Sequence, residues 1–261
     1  MMLPAEREEK IIAFLLEHKQ ATIHTLSKQF NVHEATIRRD LNKLEQFDQI
    51  KRTHGGVVLN KGEVWDELSF ADRQTSNYKE KVAIATKAAE FVQDNDTIII
   101  DSGSTGLQLA LALQHKRNLT LITNDIYIAS TLKSTNHQVI VTGGALHKDN
   151  YVLDGQLANS ALKSFNPLKL FLSTPAIDAV KGVTHFSETL AYTKAQMVEQ
   201  VQEVYVLADS AKLDKVSLYN VCAPENIDML ITDTSNTNVN WAAYHEHFKH
   251  LTHVNVHHNN N

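Results

Sequence analysis

The chemistry in this chain begins with paired guanidinium groups. Arg38 and Arg39 sit in the run Ala35-Thr36-Ile37-Arg38-Arg39-Asp40-Leu41. At about 100° per residue, Ile37, Leu41 and Leu44 share one helix face, while Ala35, Arg38, Arg39 and Asn42 project from the other. Arginine pairs with guanine O6 and N7 through two parallel hydrogen bonds, and it clamps phosphate equally well, so the outward face is suited to nucleic acid. Asp40, at the edge of the packing face, is expected to hold an arginine or a backbone amide, since an anion facing phosphates would repel them. Lys43, Lys51, Arg52 and His54 follow closely, and Thr36 precedes the pair.

A second chemistry lies in small polar turns. Asp101-Ser102-Gly103-Ser104-Thr105-Gly106 follows an apolar run and leads into a helical pattern, which presents N–H groups and hydroxyls to an anion with the helix dipole behind them. Thr123-Asn124, Gly143-Gly144 and Asp209-Ser210-Ala211-Lys212 end other strand-like runs. The first turn lacks the Gly-Lys-Ser/Thr ending of a Walker loop and the three spaced glycines of a dinucleotide fingerprint.

Two sets of elements must position these residues. A helix over about 6–18 with Ile11, Ile12, Leu15 and Leu16 on one stripe, a shorter one with Leu26 and Phe30, and the Arg38-Arg39 helix make a helix-turn-helix. Ile50–Thr53 and Val57–Leu59 around His54-Gly55-Gly56 read as two strands of a wing. From Tyr78 onward, strands at 97–100, 119–122, 139–142, 170–172, 204–208 and 229–232 alternate with helices at 79–93, 107–114, 125–133 and 188–200. That alternation predicts an α/β domain with a largely parallel sheet. The expected division is a DNA-binding domain over 1–59, a linker over 60–78 and an effector domain over 79–261.

Composition sets the remaining bounds. The net charge of −5 is unevenly shared: residues 1–60 hold nine Lys and Arg against eight Asp and Glu, and the rest sixteen against twenty-two. An acidic companion domain discourages indiscriminate DNA binding. The amino-terminal residues lack the basic flank and apolar stretch of a secretory signal, and Cys222 has no partner cysteine, so a cytoplasmic, membrane-free, disulfide-free protein is expected. Histidines crowd the last seventeen residues, from His245 to His258. Their spacing matches no zinc signature. No metal and no cofactor is expected, and Cys222 reads as a small buried hydrophobe.

Thr36 to Leu41 and Arg52 to Gly56 resemble the DeoR-type family of bacterial repressors, whose signature is a Thr-apolar-Arg-Arg-Asp-Leu helix followed by an Arg-x-His-Gly-Gly wing. His33 stands where the family has a capping serine, and Asp48 where it has glycine. Asp101 to Thr105, Thr123-Asn124, Gly143-Gly144, Ile177-Asp178 and Asp209 to Lys212 resemble the family's effector domain, similar in fold to ribose-5-phosphate isomerase. The resemblance covers nearly the whole chain. It implies a transcriptional regulator, a repressor of a carbohydrate utilisation operon that a phosphorylated sugar releases from double-stranded operator DNA, acting as a homo-oligomer. It implies Thr36, Arg38, Arg39, Asn42, Lys43, Lys51, Arg52 and His54 at the DNA. Gly103, Ser104 and Thr105 would meet the phosphate, Lys81 and Lys212 supply positive charge, and Asp101, Asn124 and Asp209 contact sugar hydroxyls. The chain departs at Phe171-Leu172-Ser173-Thr174-Pro175-Ala176-Ile177-Asp178, where Ser173 and Ala176 replace glycines and Pro175 intrudes. Hexose phosphates, pentose phosphates and phosphorylated polyols all fit.

An isomerase-like enzyme with a DNA-binding head is the alternative, with Asp101, Asp178, Glu188 or Asp209 as base. No enzyme is expected, because fold alone does not imply catalysis.

Overall fold

The structure, a computed structural model, describes residues 4–18, 20–46, 50–53, 56–59, 69–147 and 150–256. The chain divides into two compact units, Met1–Asp66 and Glu67–Asn261.

The first unit runs α1 (Pro4–His18), β1 (Gln20–Ala21), α2 (Ile23–Phe30), α3 (Glu34–Gln46), β2 (Ile50–Thr53) and β3 (Gly56–Leu59). Ile11 and Leu15 of α1, Leu26 of α2, and Ile37, Leu41 and Leu44 of α3 form one core with Ile50 and Val57 of the wing. The helical spacing of the apolar residues is what brings them together. The Thr22 hydroxyl accepts the Thr25 N–H at 3.0 Å, and Asn31 closes α2 in the left-handed region at φ 49°. Where the related pattern has a capping serine, the His33 carbonyl accepts the Thr36 and Ile37 N–H groups at 2.9 and 3.3 Å. The backbone thus begins the turn.

The wing has three strands in the order β1-β3-β2, both pairings antiparallel. β1 was not expected, because two residues are too few to show alternation. It explains Gly56: a Cβ there would sit 2.2 Å from the Ala21 carbonyl oxygen, so only glycine lets β3 run so close to β1. His54 and Gly55, expected at the wing tip, lie outside the described residues.

Asp40 holds an arginine, as its place on the packing face predicts. Its carboxylate accepts from Arg7 Nε at 2.6 Å and Nη2 at 3.0 Å, both side chains buried. This fork ties α1 to α3 and fixes the angle of the arginine-bearing face.

The second unit opens with α4 (Phe70–Thr75) and α5 (Tyr78–Ala89). This corrects the expected linker over 60–78. Phe70 is buried in the unit's core and the Ser69 hydroxyl caps α4, so the part from Ser69 onward belongs to the fold. There follow β4 (Thr97–Ile100), α6 (Ser104–Ala112), β5 (Thr120–Thr123), α7 (Ile126–Thr131) and β6 (Gln138–Val141). A hairpin of β7 (Ala145–Leu146) and β8 (Leu153–Asp154) leads to α8 (Gln156–Leu162) and β9 (Lys169–Ser173). Then come β10 (Ala176–Asp178), β11 (Gly182–His185), α9 (Glu188–Glu199), β12 (Glu203–Leu207), β13 (Tyr219–Cys222), β14 (Met229–Asp233), α10 (Trp241–His247) and β15 (Leu251–Val254).

Seven strands form a parallel sheet in the order β15-β14-β12-β9-β4-β5-β6. Ile98, Ile100, Leu121, Phe171, Tyr205 and Leu207 face one layer with α5 and α6. Ile99, Ile122, Leu170, Leu172, Val204 and Val206 face the other with Met197 of α9 and Tyr244 of α10. The period of two along each strand divides them, and burial on both faces explains the unbroken apolar runs. The chain starts at β4, moves out to β6, then returns beside β4 as β9 and proceeds the other way. That reversal opens a crevice at the carboxyl ends of β4 and β9.

Replacing Asp40 by Ala should leave the Arg7 charge buried alone and cost the first unit on the order of 2–3 kcal/mol, the low side for a broken buried pair because so small a unit covers it thinly. Urea denaturation should show an earlier transition for this unit; an unchanged profile would mean the fork carries no stability.

Candidate DNA face and effector cleft

On α3, Arg38, Arg39 and Asn42 are exposed and Thr36 is half-buried, while Ile37 and Leu41 are sealed in the core. Most of these cations already have a carboxylate. Arg38 lies 3.7 Å from Glu34, Lys43 donates to Glu8 at 2.8 Å, and Arg52 of β2 donates to Glu45 at 3.1 Å and also to Asn42. Arg39 has no ion pair with a described residue. Exposed pairs of this kind are worth less than about 1 kcal/mol, so a phosphate competes with them easily. Lys51 lies on β2 beside Arg52.

In the second unit the crevice between β4 and β9 is a cleft. It is lined by Ser102, Gly103, Ser104 and Thr105 on one side, Ser173, Thr174 and His185 on another, and Arg73, Lys81, Lys194 and Lys212 around them. The first N–H groups of α6, at Ser104 and Thr105, have no acceptor within the helix and face this place with the positive end of the dipole. Gly103 adopts φ 124°, a backbone state L side chains rarely take, and this brings the chain into the cleft. Its own N–H, however, donates to Asp125 at 3.3 Å, which leaves Ser104 and Thr105 with the unpaired first-turn amides. Asp125 also caps α7, and burial raises its pKa against the pull of those hydrogen bonds.

Six of the expected effector residues, Lys81, Gly103, Ser104, Thr105, Asp209 and Lys212, line the cleft together. Two do not, and both are corrections. Asp101 is fully buried beneath it. Its carboxylate accepts the Ser173 N–H at 3.0 Å and pairs with Lys194, whose ammonium also donates to the Ser173 carbonyl at 3.1 Å. A carboxylate so committed is not available to a sugar hydroxyl. Asn124 is also buried, its amide donating to the Leu153 carbonyl at 3.1 Å across to β8. Residues at strand ends look alike in sequence whether they face the crevice or brace it.

Sequence reasoning missed Arg73, Asn150, Lys194 and His185. Arg73 fell in the expected linker, and Lys194 lies mid-helix, where a lysine reads as solvent-facing. Arg73 donates to Asn150, and Lys81 donates to the carbonyls of Arg73 and Ser76 at 2.5 and 2.6 Å, holding the end of α4 against the cleft. Asp209 accepts from Asn77 at 2.8 Å. Lys212 is half-buried, with no ion pair to a described residue. The cavity measures about 40 Å³.

Of the carboxylates weighed as isomerase bases, Asp101 is held by Lys194, Asp209 accepts from Asn77 at the cleft, Asp178 accepts the N–H groups of Val180 and Lys181, and Glu188 is exposed and does not line the cleft. Cys222 is buried, which pushes its thiol up to about 12, away from nucleophilic use. Among the described residues no three His, Cys, Asp or Glu side chains are grouped to hold a metal ion, and no helix is long and apolar enough to cross a membrane.

Residues 7–63 match the DeoR-like helix-turn-helix domain and residues 76–234 the DeoR C terminal sensor domain. The chain is 36% identical to the HTH-type transcriptional regulator GolR of Listeria innocua serovar 6a, over 93% of this chain and 94% of that one. It is 32% identical to the transcriptional repressor AccR of Agrobacterium fabrum, over 88% and 89%. It is 30% identical to the HTH-type transcriptional regulator IolR of Bacillus subtilis, over 87% and 90%. Ribose 5-phosphate isomerase A of Methanocaldococcus jannaschii is similar at a TM-score of 0.40 and 14% identity, covering 53% of this chain and 55% of its own. A likeness at that level says nothing about chemistry.

Burial, and next the charge of Lys194, lower the His185 pKa well below 6.5. Below that pH the unfolded chain takes up a proton at this position that the folded chain refuses, so stability falls as pH drops from about 6.5, by at most about 1.4 kcal/mol per unit. His185→Gln should flatten that part of the second unit's stability profile. A slope identical to the parent's would show that His185 titrates normally.

Proposed function

This chain belongs to the DeoR family of DNA-binding transcriptional regulators, and from that premise we propose that it represses a carbohydrate utilisation operon and is released from its operator by a phosphorylated sugar. The observation that carries the reading is the cleft: Arg73, Lys81 and Lys212, beside a Lys194 already paired with Asp101, and the amino terminus of α6 come together at the sheet's reversal point. That is a place for an anion of more than one charge. The rest of such a ligand would meet Asp209, Ser173 and His185. In the first unit, Arg38, Arg39 and Asn42 would enter the major groove, with Thr36, Lys43, Lys51, Arg52 and His54 at the flanking backbone. One such head contacts few bases, so two heads in a homo-oligomer would read a two-fold operator.

Release follows from linkage. A ligand that binds Arg73, Lys81 and Lys212 together prefers the arrangement in which all three reach it. If that arrangement holds DNA less well, the metabolite lowers operator affinity by the factor by which DNA lowers metabolite affinity. Arg73 sits on α4, near the chain's passage from the first unit to the second. The alternative, a sugar-phosphate isomerase-like enzyme, finds little support in the carboxylates: Asp101 is buried against Lys194, while Asp178 and Glu188 do not line the cleft.

Arg39→Ala should lower operator affinity by on the order of 10–100-fold, from the loss of a bidentate contact worth about 1–3 kcal/mol. Gel shift of the wild-type chain should also show affinity falling steeply with salt. Retained affinity in the variant together with a flat salt response would remove α3 from the interface. Lys212→Ala should still bind operator but need roughly tenfold or more metabolite for release, from the loss of one charge-assisted hydrogen bond; release at the wild-type concentration would place the effector elsewhere. The metabolite is found by thermal shift against a panel of sugar phosphates, since a true effector stabilises the native state by mass action.

A further inference from the structure

Two groups in the cleft are left over by every contact described above. The Ser173 hydroxyl is buried and has no hydrogen-bond partner among the described residues, although its backbone N–H and carbonyl are taken by Asp101 and Lys194. Burying a polar group unpaired is unfavourable by roughly tenfold or more in an equilibrium constant, so such a group in a cleft points to a partner that arrives later. His185 is the second. Its Nδ1 accepts the Ser187 backbone N–H at 3.0 Å, so Nδ1 carries no proton and the neutral ring keeps its proton on Nε2. No described residue accepts from that Nε2. Burial beside Lys194 keeps the ring neutral.

The two groups stand on neighbouring backbone. Thr174, next to Ser173, places its hydroxyl 3.3 Å from the carbonyl of Thr184, next to His185, and both Ser173 and His185 line the cleft. A Cβ built on Gly103 would lie 3.5 Å from the Ser173 Cβ, so this side of the cleft begins where the α6 cradle ends. Its chemistry differs from the cationic side. It offers a hydroxyl that both donates and accepts and an imidazole N–H that donates, both neutral, which matches the oxygen of an alcohol rather than a second anionic group.

We propose that Ser173 and His185 form a neutral polar wall that reads ligand hydroxyls next to the phosphate, so that the site selects a phosphorylated polyhydroxy compound over inorganic phosphate and over its deoxy analogues. This rests on the sensor reading above and deepens it. Where the related pattern carries glycine at position 173, the wall would lack its hydroxyl, so the feature belongs to this chain. Sites built around hydrogen bonds to a ligand hydroxyl discriminate strongly because its absence leaves their own groups unpaired.

Calorimetric titration of the full-length chain tests it, with inorganic phosphate and a panel of aldose, ketose and polyol phosphates, each beside a monodeoxy analogue. The wild type should prefer one hydroxylated ligand over inorganic phosphate and over at least one deoxy form by roughly tenfold or more. Ser173→Ala and His185→Leu should each reduce that selectivity ratio roughly tenfold, and His185→Gln, which keeps an N–H donor, should restore most of it. A merely structural defect would weaken both ligands and leave the ratio intact, and that result overturns the wall. A wild type that holds sugar phosphates no better than inorganic phosphate overturns it without any variant, leaving the anion cradle standing. A wild type that binds none of the probes defeats the sensor reading itself.

Discussion

The cleft depends on a buried ion pair, of which Lys194 lines it and Asp101 lies fully buried. Asp101 follows strand β4 at the point where the sheet order reverses, and its carboxylate meets Lys194 from α9 and the Ser173 N–H from β9. Three elements distant in sequence are thereby pinned at one spot. Breaking such a pair by removing one partner costs about 3–5 kcal/mol, because the other charge is left buried. The pair also spends the negative charge of Asp101 on a single lysine. The floor of the cleft is therefore close to neutral, while Arg73, Lys81 and Lys212 keep its rim positive. Ser104 and Thr105, at the start of α6, line the same cleft.

The first unit uses the same device at smaller scale. Asp40 and Arg7 lie inside and hold the helices, whereas Arg38, Lys43 and Arg52 lie outside with surface carboxylates. Buried pairs fix geometry, since their partners have nowhere else to go. Exposed pairs are exchangeable, and Glu34, Glu8 and Glu45 yield their cations to any denser array of negative charge. Neither unit is strongly basic overall, so affinity for a duplex rests on where the cations stand rather than on their number.

Much of the fold was legible because apolar periodicity survives tertiary context. The strand at Thr97–Ile100 was placed to the residue, and the strands ending at Thr123, Val141, Ser173 and Asp233 to within one or two positions. The two-residue β1 and three-residue β10 were missed as too short for a period, and the four-residue β11 and β13 because Gly182-Val183-Thr184-His185 and Tyr219-Asn220-Val221-Cys222 hold no continuous apolar run. In the cleft, the glycine-hydroxyl turn before α6 was legible because it joins an apolar strand to a helix start, where backbone N–H groups are left unpaired. Its supporting residues did not. Asp101 and Asn124 face inward, while Arg73 and Lys194 reach the cleft from helices, and side-chain direction at a strand end or from a helix is set by packing that one sequence does not spell out. Ser173 was visible as a departure, though only the surrounding backbone bonds show that its hydroxyl is stranded.

The central claim is that occupation of the cleft and grip on DNA are two readings of one equilibrium. The most direct test is a closed thermodynamic cycle on the full-length chain: operator affinity with and without saturating metabolite, and metabolite affinity with and without saturating operator. Both pairs should differ by the same factor, with each ligand weakening the other by about 5–150-fold. Operator affinity that stays constant as the cleft fills would contradict the account.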